Sequence, residues 1–214
     1  MNSDKIFYIV VGVITVAIFF GIIFFAGGSN QKTINSTDVD IKTLLGENTH
    51  STIDTEKAKV VLVEFSDFQC PACKSALGEV SRIKEDFKDT VAIVYKNYPL
   101  TSIHNYAYKA ALASEAAAKQ GKFWEYHDIL FREQREVSNP LKDEDFYSFA
   151  LELKLNEEQF KKDYQSTDIK KLVDADIKLG DTLQLKGTPT FYLNGKQYNG
   201  NDLYGDIKKL VEVK

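Results

Sequence analysis

The sequence predicts an α/β fold that is interrupted by a helical block and preceded by a transmembrane helix. Two apolar, β-branched runs, residues 60–65 and 91–95, bracket a stretch of helical composition, residues 71–87. Two strands joined by a helix form a βαβ unit, whose strands pair in parallel with a right-handed crossover. Near the end of the chain Asn194-Gly195 separates two more strand-like runs, which indicates a β-hairpin. The predicted order is βαβ, helical block, ββα.

The transmembrane prediction rests on residues 6–26, an apolar run of 21 residues without a charged side chain. A helix of this length spans about 31 Å, close to the thickness of a bilayer's hydrocarbon core. A secretory signal peptide has a shorter apolar core and a small-x-small cleavage site, which residues 24–28 do not offer. We therefore expect residues 1–28 to anchor the chain in the lipid bilayer, with a cleaved signal peptide as the alternative.

The residues around the apolar run predict its orientation. Lys5 and the terminal amine precede it, and no basic residue follows it before Lys32. Because basic residues favour the cytoplasmic side of a membrane, we expect a cytoplasmic N-terminus and an extracytoplasmic remainder of the chain. Residues 29–48 are rich in Gly, Ser, Asn, Thr and Asp, a composition typical of a polar tether.

The block between the two strand-rich parts contains five helical patterns. Gly121 is a candidate C-cap for the first, and Asn156 with Gln159 resembles a capping box at the start of the fourth. The predicted helices are residues 105–119, 122–135, 143–154, 156–164 and 168–184, and the last strands and helix are residues 190–193, 196–198 and 202–213.

Composition narrows the class of function. The chain of 214 residues has a formal net charge of −4 and two cysteines. A mildly acidic chain has no general attraction for phosphate backbones, so we expect no nucleic-acid partner. Two cysteines are too few for a disulfide-rich scaffold or an all-cysteine zinc site, and the three histidines lack paired ligand spacing. We therefore expect no metal site.

The two cysteines, Cys70 and Cys73, have the spacing C-x-x-C between the first strand and the first helix. If the disulfide were purely structural, closing so short a loop would contribute only about 2 kcal/mol to the stability of the fold. A metal site needs two further ligands. We favour a redox pair, because an exported domain tolerates disulfides and a strand–loop–helix context makes the motif reactive.

The helix start gives the two sulfurs different roles. Cys70 lies where unpaired N–H groups and the helix dipole favour a thiolate. Cys73 lies one turn further in, where that field is weaker and burial disfavours charge. We expect Cys70 to exchange with substrate and Cys73 to close the redox disulfide with it.

Residues 64–73, with the sequence E-F-S-D-F-Q-C-P-A-C, and residues 187–191, with the sequence G-T-P-T-F, resemble the DsbA-type thiol:disulfide oxidoreductases. The resemblance extends over about residues 45–214 and implies a thioredoxin-like fold with an inserted all-helical domain. The implied boundaries are residues 49–103 and 184–214 for the thioredoxin-like domain and residues 104–183 for the helical insertion.

The resemblance also implies roles for particular residues. In the family the first cysteine is the nucleophile and the second its buried partner, here Cys70 and Cys73. Pro189 corresponds to the family's cis-proline beside the active-site disulfide, and Thr188 to the residue whose backbone pairs with bound substrate. The alternative is that Thr188-Pro189 merely begins a strand.

Glu64 corresponds to the family's buried acid, which relays protons to the inner cysteine. It lies inside an otherwise apolar strand, where a carboxylate is seldom fully buried without a reason. Lys96 ends the second strand, and we expect it to pair with Glu64 across the parallel strands. Alternatively, Glu64 lies at a solvated edge and Lys96 simply ends its strand.

Ala72, which follows Pro71 in the motif, departs from the family's strongest oxidants, which carry histidine there. The histidine's imidazole helps to stabilise the nucleophile's thiolate, and alanine offers neither a donor nor a charge. Each 30 mV of potential corresponds to about 1.4 kcal/mol for a two-electron couple. We therefore expect a milder disulfide donor, with a reduction potential tens of millivolts lower than that of the family's strongest oxidants.

The resemblance implies an enzyme that introduces disulfides into exported polypeptides with free thiols. A membrane redox partner, quinone-linked in the family, would reoxidise it, and no organic cofactor is needed. The alternatives are a reductase or isomerase of the same fold, and a non-catalytic binder that holds exported polypeptides in the groove beside Pro189.

Overall fold

The computed structural model describes residues 38–46 and 49–213. The predicted bilayer-spanning run, residues 6–26, and most of the predicted tether lie outside the described residues. Among the helices of the described ranges, none is both long and apolar enough to cross a membrane.

Within the described residues, five strands form one mixed sheet in the order β1-β3-β2-β4-β5. Strands β2 and β3 pair in parallel, and the other neighbours pair antiparallel. The predicted βαβ unit is therefore present at the centre of the sheet. The strands are β1 (His50–Ser51), β2 (Val60–Ser66), β3 (Val91–Asn97), β4 (Thr190–Leu193) and β5 (Lys196–Gln197).

The central strands β2 and β3 are buried along their whole length because helices cover both faces of the sheet. One face packs against α2 (Pro71–Asp86) and α8 (Leu203–Glu212). The other face packs against α1 (Ile41–Leu45) and the end of α7 (Thr167–Thr182). Because side chains alternate along a strand, successive residues of β2 and β3 point toward different helices.

The predicted helical block is also present, with ends that differ from the predicted ones by at most three residues. Its helices pack around a third apolar cluster that includes Phe68 and both cysteines, so this block forms one wall of the CxxC site. Before α7 come α3 (Ala107–Ala118), α4 (Phe123–Arg132), α5 (Asp143–Glu152) and α6 (Glu157–Tyr164).

Only one of the two hydrogen bonds of the predicted capping box at the start of α6 is present. Oδ1 of Asn156 accepts a hydrogen bond from the backbone N of Gln159 at 2.8 Å. The backbone N of Asn156, however, donates to Oε1 of Gln120 at 2.8 Å. The side chain of Gln120, two residues beyond the end of α3, thus accepts the hydrogen bond that the Gln159 side chain was expected to accept.

The hairpin between β4 and β5 turns at Asn194 and Gly195, which have φ values of 50° and 87°, as the Asn-Gly signal predicts. Oδ1 of Asn194 also accepts a hydrogen bond from the backbone N of Val61 at 2.8 Å. A Cβ at position 195 would lie 2.4 Å from the backbone O of Val39, so only glycine fits this close approach.

The predicted tether, residues 29–48, includes a segment with ordered contacts and stays a prediction as a whole. Residues 38–46 pack onto the fold: Val39 and Leu44 are buried, and the backbone N of Val39 donates to the O of Gly195 at 2.7 Å. Polar composition concealed the apolar residues that α1 contributes to the core. Strand β1, only two residues long, was not predicted either, whereas the proposed domain boundaries stay a prediction.

Candidate active site

The two cysteines lie where β2 leads into α2. Cys70 is the N-cap residue of α2, in an extended conformation, and Pro71 occupies the first helical turn, where its missing N–H is not needed. The side chain of Cys73 is more deeply buried, with 1% of Cys73 and 7% of Cys70 exposed. Both are free thiols in this structure, so it describes the reduced form of the predicted redox pair.

The loop before β4 brings a backbone carbonyl to the outer sulfur. The Thr188–Pro189 peptide bond is cis, as the resemblance implies. The Sγ of Cys70 donates a hydrogen bond to the O of Thr188 at 3.4 Å. Residues that are 118 positions apart in the chain thus form one surface.

Cys73 is held as a thiol. Burial raises the pKa of Cys73 to about 12, and the Ser66 and Thr188 hydroxyls and the Asp67 backbone offset only part of this shift. Cys70 raises the same pKa further by charge repulsion. This environment is the one expected for the inner sulfur of a redox pair.

Glu64 lies on the face of β2 that packs against α2, and 5% of it is exposed. Burial raises the pKa of the Glu64 carboxyl to about 7, and the nearby Ser66 hydroxyl lowers it only in part. In the parallel register Glu64 stands opposite Tyr95. Burial, together with the charges of Glu64 and Cys73, raises the pKa of Tyr95.

The predicted pairing of Glu64 with Lys96 is wrong. The register places Lys96 opposite Phe65, one residue beyond Glu64, and alternation therefore directs the two side chains to different faces of the sheet. Lys96, with 1% of its side chain exposed, forms a salt bridge with Asp176 of α7, with 3.0 Å between Nζ and Oδ1. Glu64 lies on the face of the cysteines, and Lys96 lies on the face of α7.

Asp176 belongs to a buried polar network that sequence analysis missed. Its Oδ2 accepts a hydrogen bond from the backbone N of Asn97 at 3.0 Å, and Nδ2 of Asn97 donates to Oε1 of Glu115 at 2.8 Å. His50 Nε2 lies 2.9 Å from the same carboxylate oxygen of Glu115. Burial raises the pKa of Asp176 to about 6, and Lys96 counteracts that shift. The available signal was an aspartate on the buried stripe of α7.

Asp67, also missed, organises the loop before Cys70. Its two carboxylate oxygens accept hydrogen bonds from the backbone N of Gln69 at 2.7 Å and of Leu100 at 2.8 Å. His104 Nδ1 lies 2.7 Å from Oδ2 of Asp67. An Asx-turn aspartate three residues before the first cysteine was the signal that could have revealed it.

The site contains thiols, a carboxyl group and backbone carbonyls. Within residues 38–46 and 49–213, no group of three or more His, Cys, Asp or Glu side chains is arranged to hold a metal ion. The thiols and the buried carboxyl group can support thiol–disulfide exchange, with proton transfer to and from the sulfurs.

Comparisons with known proteins agree with this chemistry. Residues 47–213 match the family model Thioredoxin_4, described as thioredoxin. The probable disulfide bond formation protein D of Bacillus cereus is 32% identical over 173 residues, which cover 77% of this chain and 78% of that protein. The crystal structure of oxidised BdbD from Bacillus subtilis superposes with a TM-score of 0.68 and 26% identity, and covers 83% of this chain and 96% of that one.

A second group of relatives consists of much longer proteins. The Na(+)/H(+) antiporter NhaA 3 of Salinispora tropica is 37% identical over 144 residues, which cover 67% of this chain but 21% of the antiporter. The chain therefore spans about a fifth of the length of the antiporters it matches. The match over residues 47–213, together with the similarity to the Bacillus cereus protein, shows that the chain belongs to the DsbA-like family of thioredoxin-fold disulfide oxidoreductases.

Proposed function

We propose that this protein is an extracytoplasmic thiol:disulfide oxidoreductase that introduces disulfides into exported proteins. The observation that carries the proposal is the unequal environment of the two sulfurs. Cys70 begins a helix and faces the Thr188 carbonyl, whereas the pKa of Cys73 is raised to about 12 by burial. One sulfur is thus placed for attack by a substrate and the other is protected from it.

The reaction starts from the oxidised pair. A substrate thiolate attacks Sγ of Cys70, the Cys70–Cys73 bond breaks as the mixed disulfide forms, and Cys73 leaves and takes up a proton. The substrate's second thiolate then attacks the substrate sulfur of the mixed disulfide and releases Cys70. Two electrons and two protons pass from the substrate dithiol to the protein.

Glu64 is the proposed proton donor and acceptor for Cys73. Its pKa of about 7 lets it hold or release a proton near neutral pH, as a general acid–base group must. It stands opposite Tyr95 in the strand register, and its charge and that of Cys73 both raise the pKa of Tyr95. Lys96 contributes to this site only indirectly, because its salt bridge to Asp176 ties β3 to α7.

The location and partners follow from the same proposal. The apolar run of residues 6–26 supports a single membrane span with a cytoplasmic N-terminus and an extracytoplasmic catalytic domain. The substrates are exported polypeptides with free thiols. Each catalytic cycle leaves the pair reduced, so a membrane redox partner, which we propose to be quinone-linked, must reoxidise it.

The direction of exchange separates this proposal from a reductase or isomerase of the same fold. The name of the Bacillus cereus relative, a probable disulfide bond formation protein, supports disulfide donation. Ala72 beside the reactive sulfur argues for a milder donor than a protein with histidine there. Trapping of free thiols in living cells should find Cys70 and Cys73 mostly oxidised, whereas a mostly reduced pair would support the reductase or isomerase.

An insulin-reduction assay with reductant tests whether exchange occurs at all. The wild-type chain should accelerate the precipitation of insulin chains, and the Cys70→Ser variant should not. If neither protein turns over, a non-catalytic binder of exported polypeptides remains. A redox titration against glutathione completes the test, since a potential near −270 mV, the value of thioredoxin, would contradict the donor proposal.

A further inference from the structure

Gln134 connects the helical block to the backbone of the nucleophile. It follows the end of α4, and its Nε2 donates hydrogen bonds to the O of Phe68 at 2.9 Å and to the O of Cys70 at 3.0 Å. A side-chain amide nitrogen has two donor hydrogens. Both are therefore used on two carbonyls of the same loop, 66 and 64 residues away along the chain.

These bonds complete the fixation of Cys70. Its backbone N donates to the O of Asp67 at 3.0 Å, and its O also accepts from the backbone N of Lys74 at 3.2 Å. With both backbone groups held, the Cα–Cβ direction is set, and with it the approach of Sγ to the Thr188 carbonyl. Gln134 is the side chain in this arrangement that comes from the helical block.

We propose that Gln134 is a positioning residue for thiol–disulfide exchange at Cys70, a role that rests on the function proposed above. It holds the carbonyls of Phe68 and Cys70 so that Sγ keeps the orientation from which it is attacked. Reactions of this kind are sensitive to small displacements of the reacting atom. The helical block thereby takes part in the chemistry at the cysteine pair.

A second role for the same side chain must be separated from this one. Gln134 also borders a cavity of about 480 Å³ beside the motif. There it could contact a bound polypeptide directly instead of acting through Cys70. The other lining residues are Gln69, Pro71, His104, Arg135, Glu136 and Val137.

The test compares a small thiol with a large one. Gln134→Met keeps the length of the side chain and removes both donors, and Gln120→Met is the matched control, because Gln120 donates to the O of Asn156 at 3.1 Å on the surface. For each full chain in its oxidised form, rate constants are measured with glutathione and with a reduced, unfolded protein. A positioning role predicts that Gln134→Met lowers both rate constants by the same factor, roughly ten-fold.

Gln134→Glu adds a signature that loss of stability would not produce. Below the ordinary carboxyl pKa of about 4.3 the protonated side chain can still donate one hydrogen bond, and above it a carboxylate faces two carbonyl oxygens. The rate relative to wild type should therefore fall as pH rises through about 4 to 6. The ratio for Gln134→Met should stay constant over the same range.

Each outcome decides the proposal. Equal losses with both thiols, together with the pH-dependent ratio, support positioning. A loss with the protein substrate alone overturns it in favour of direct contact in the cavity, and unchanged rates for a folded Gln134→Met overturn it outright. If wild type itself exchanges no faster than Cys70→Ser, the proposed function has failed, and the positioning role fails with it. Should Gln134→Met not fold, the pH ratio of Gln134→Glu alone decides.

Discussion

Replacing Glu64 by glutamine should change how the stability of this protein depends on pH. Glutamine has nearly the same shape but cannot ionise, so the substitution removes the charge without opening a cavity. In the native protein burial raises the pKa of Glu64 from 4.5 to about 7. The folded state therefore holds a proton that the unfolded chain releases at lower pH.

The sign and size of the effect follow from this shift. Between pH 4.5 and 7 the folded protein binds more protons at Glu64 than the unfolded chain does, so this group's contribution to stability falls as pH rises. The shift from 4.5 to about 7 corresponds to a cost of about 3 kcal/mol above pH 7, and most of this cost develops between pH 5 and pH 8.

Urea unfolding of the reduced protein at pH 5 and pH 8 measures this difference. The free energy of unfolding of Glu64→Gln minus that of wild type should be higher at pH 8 than at pH 5, by up to about 3 kcal/mol. Any cost of an unsatisfied glutamine amide is the same at both pH values and cancels. Glu85→Gln, at an exposed position of α2, serves as the matched control. An equal difference at both pH values would refute a raised pKa at Glu64, and an unchanged pH profile of exchange would refute the proton relay.

Three further predictions concern the nucleophile, the buried salt bridge and the segment before β1. Ala72→His should raise the reduction potential by tens of millivolts in a glutathione titration, since about 1.4 kcal/mol of added thiolate stabilisation equals 30 mV; an unchanged potential would mean that this position does not set the redox strength. Lys96→Met should lower the free energy of unfolding at neutral pH by about 3–5 kcal/mol, because Asp176 is left buried without this cation. That loss should shrink below pH 6 as Asp176 takes up a proton, and a loss under 1 kcal/mol at pH 8, on the order of an exposed ion pair, would contradict the role of the salt bridge. Leu44→Ala should cost about 2–5 kcal/mol in urea unfolding, since Leu44 is fully buried, whereas a freely moving tether would show no change.

The parts of the fold with strong local signals were predictable from the sequence. Continuous β-branched runs identified β2 and β3. The Asn194-Gly195 pair identified the hairpin turn, because both residues readily adopt the positive φ that the structure shows there. The cysteine pair was found in the same way, because its chemistry depends on spacing and on the start of a helix. In each case the determining contacts lie within a few residues along the chain.

Contacts between distant segments were not predictable in the same way. The partner of Lys96 depends on the register of β2 and β3, and an offset of one residue moved it to the other face of the sheet. The bonds of Gln134 to the loop before α2 join residues more than sixty positions apart, and no sequence pattern marks a glutamine for that role. Residues 38–46 were assigned by average composition, which hides a few buried side chains.

The deep burial of Cys73 also determines how long a reaction intermediate survives. Burial raises the pKa of Cys73 to about 12, so at neutral pH this side chain is held almost entirely as the thiol. When a substrate is joined to Cys70, the intramolecular attack that would expel it is therefore slow. In the direction of exchange proposed above, the substrate's own second thiol would then gain time to complete the new disulfide, and the kinetic competition would favour a finished product over a released, unchanged polypeptide.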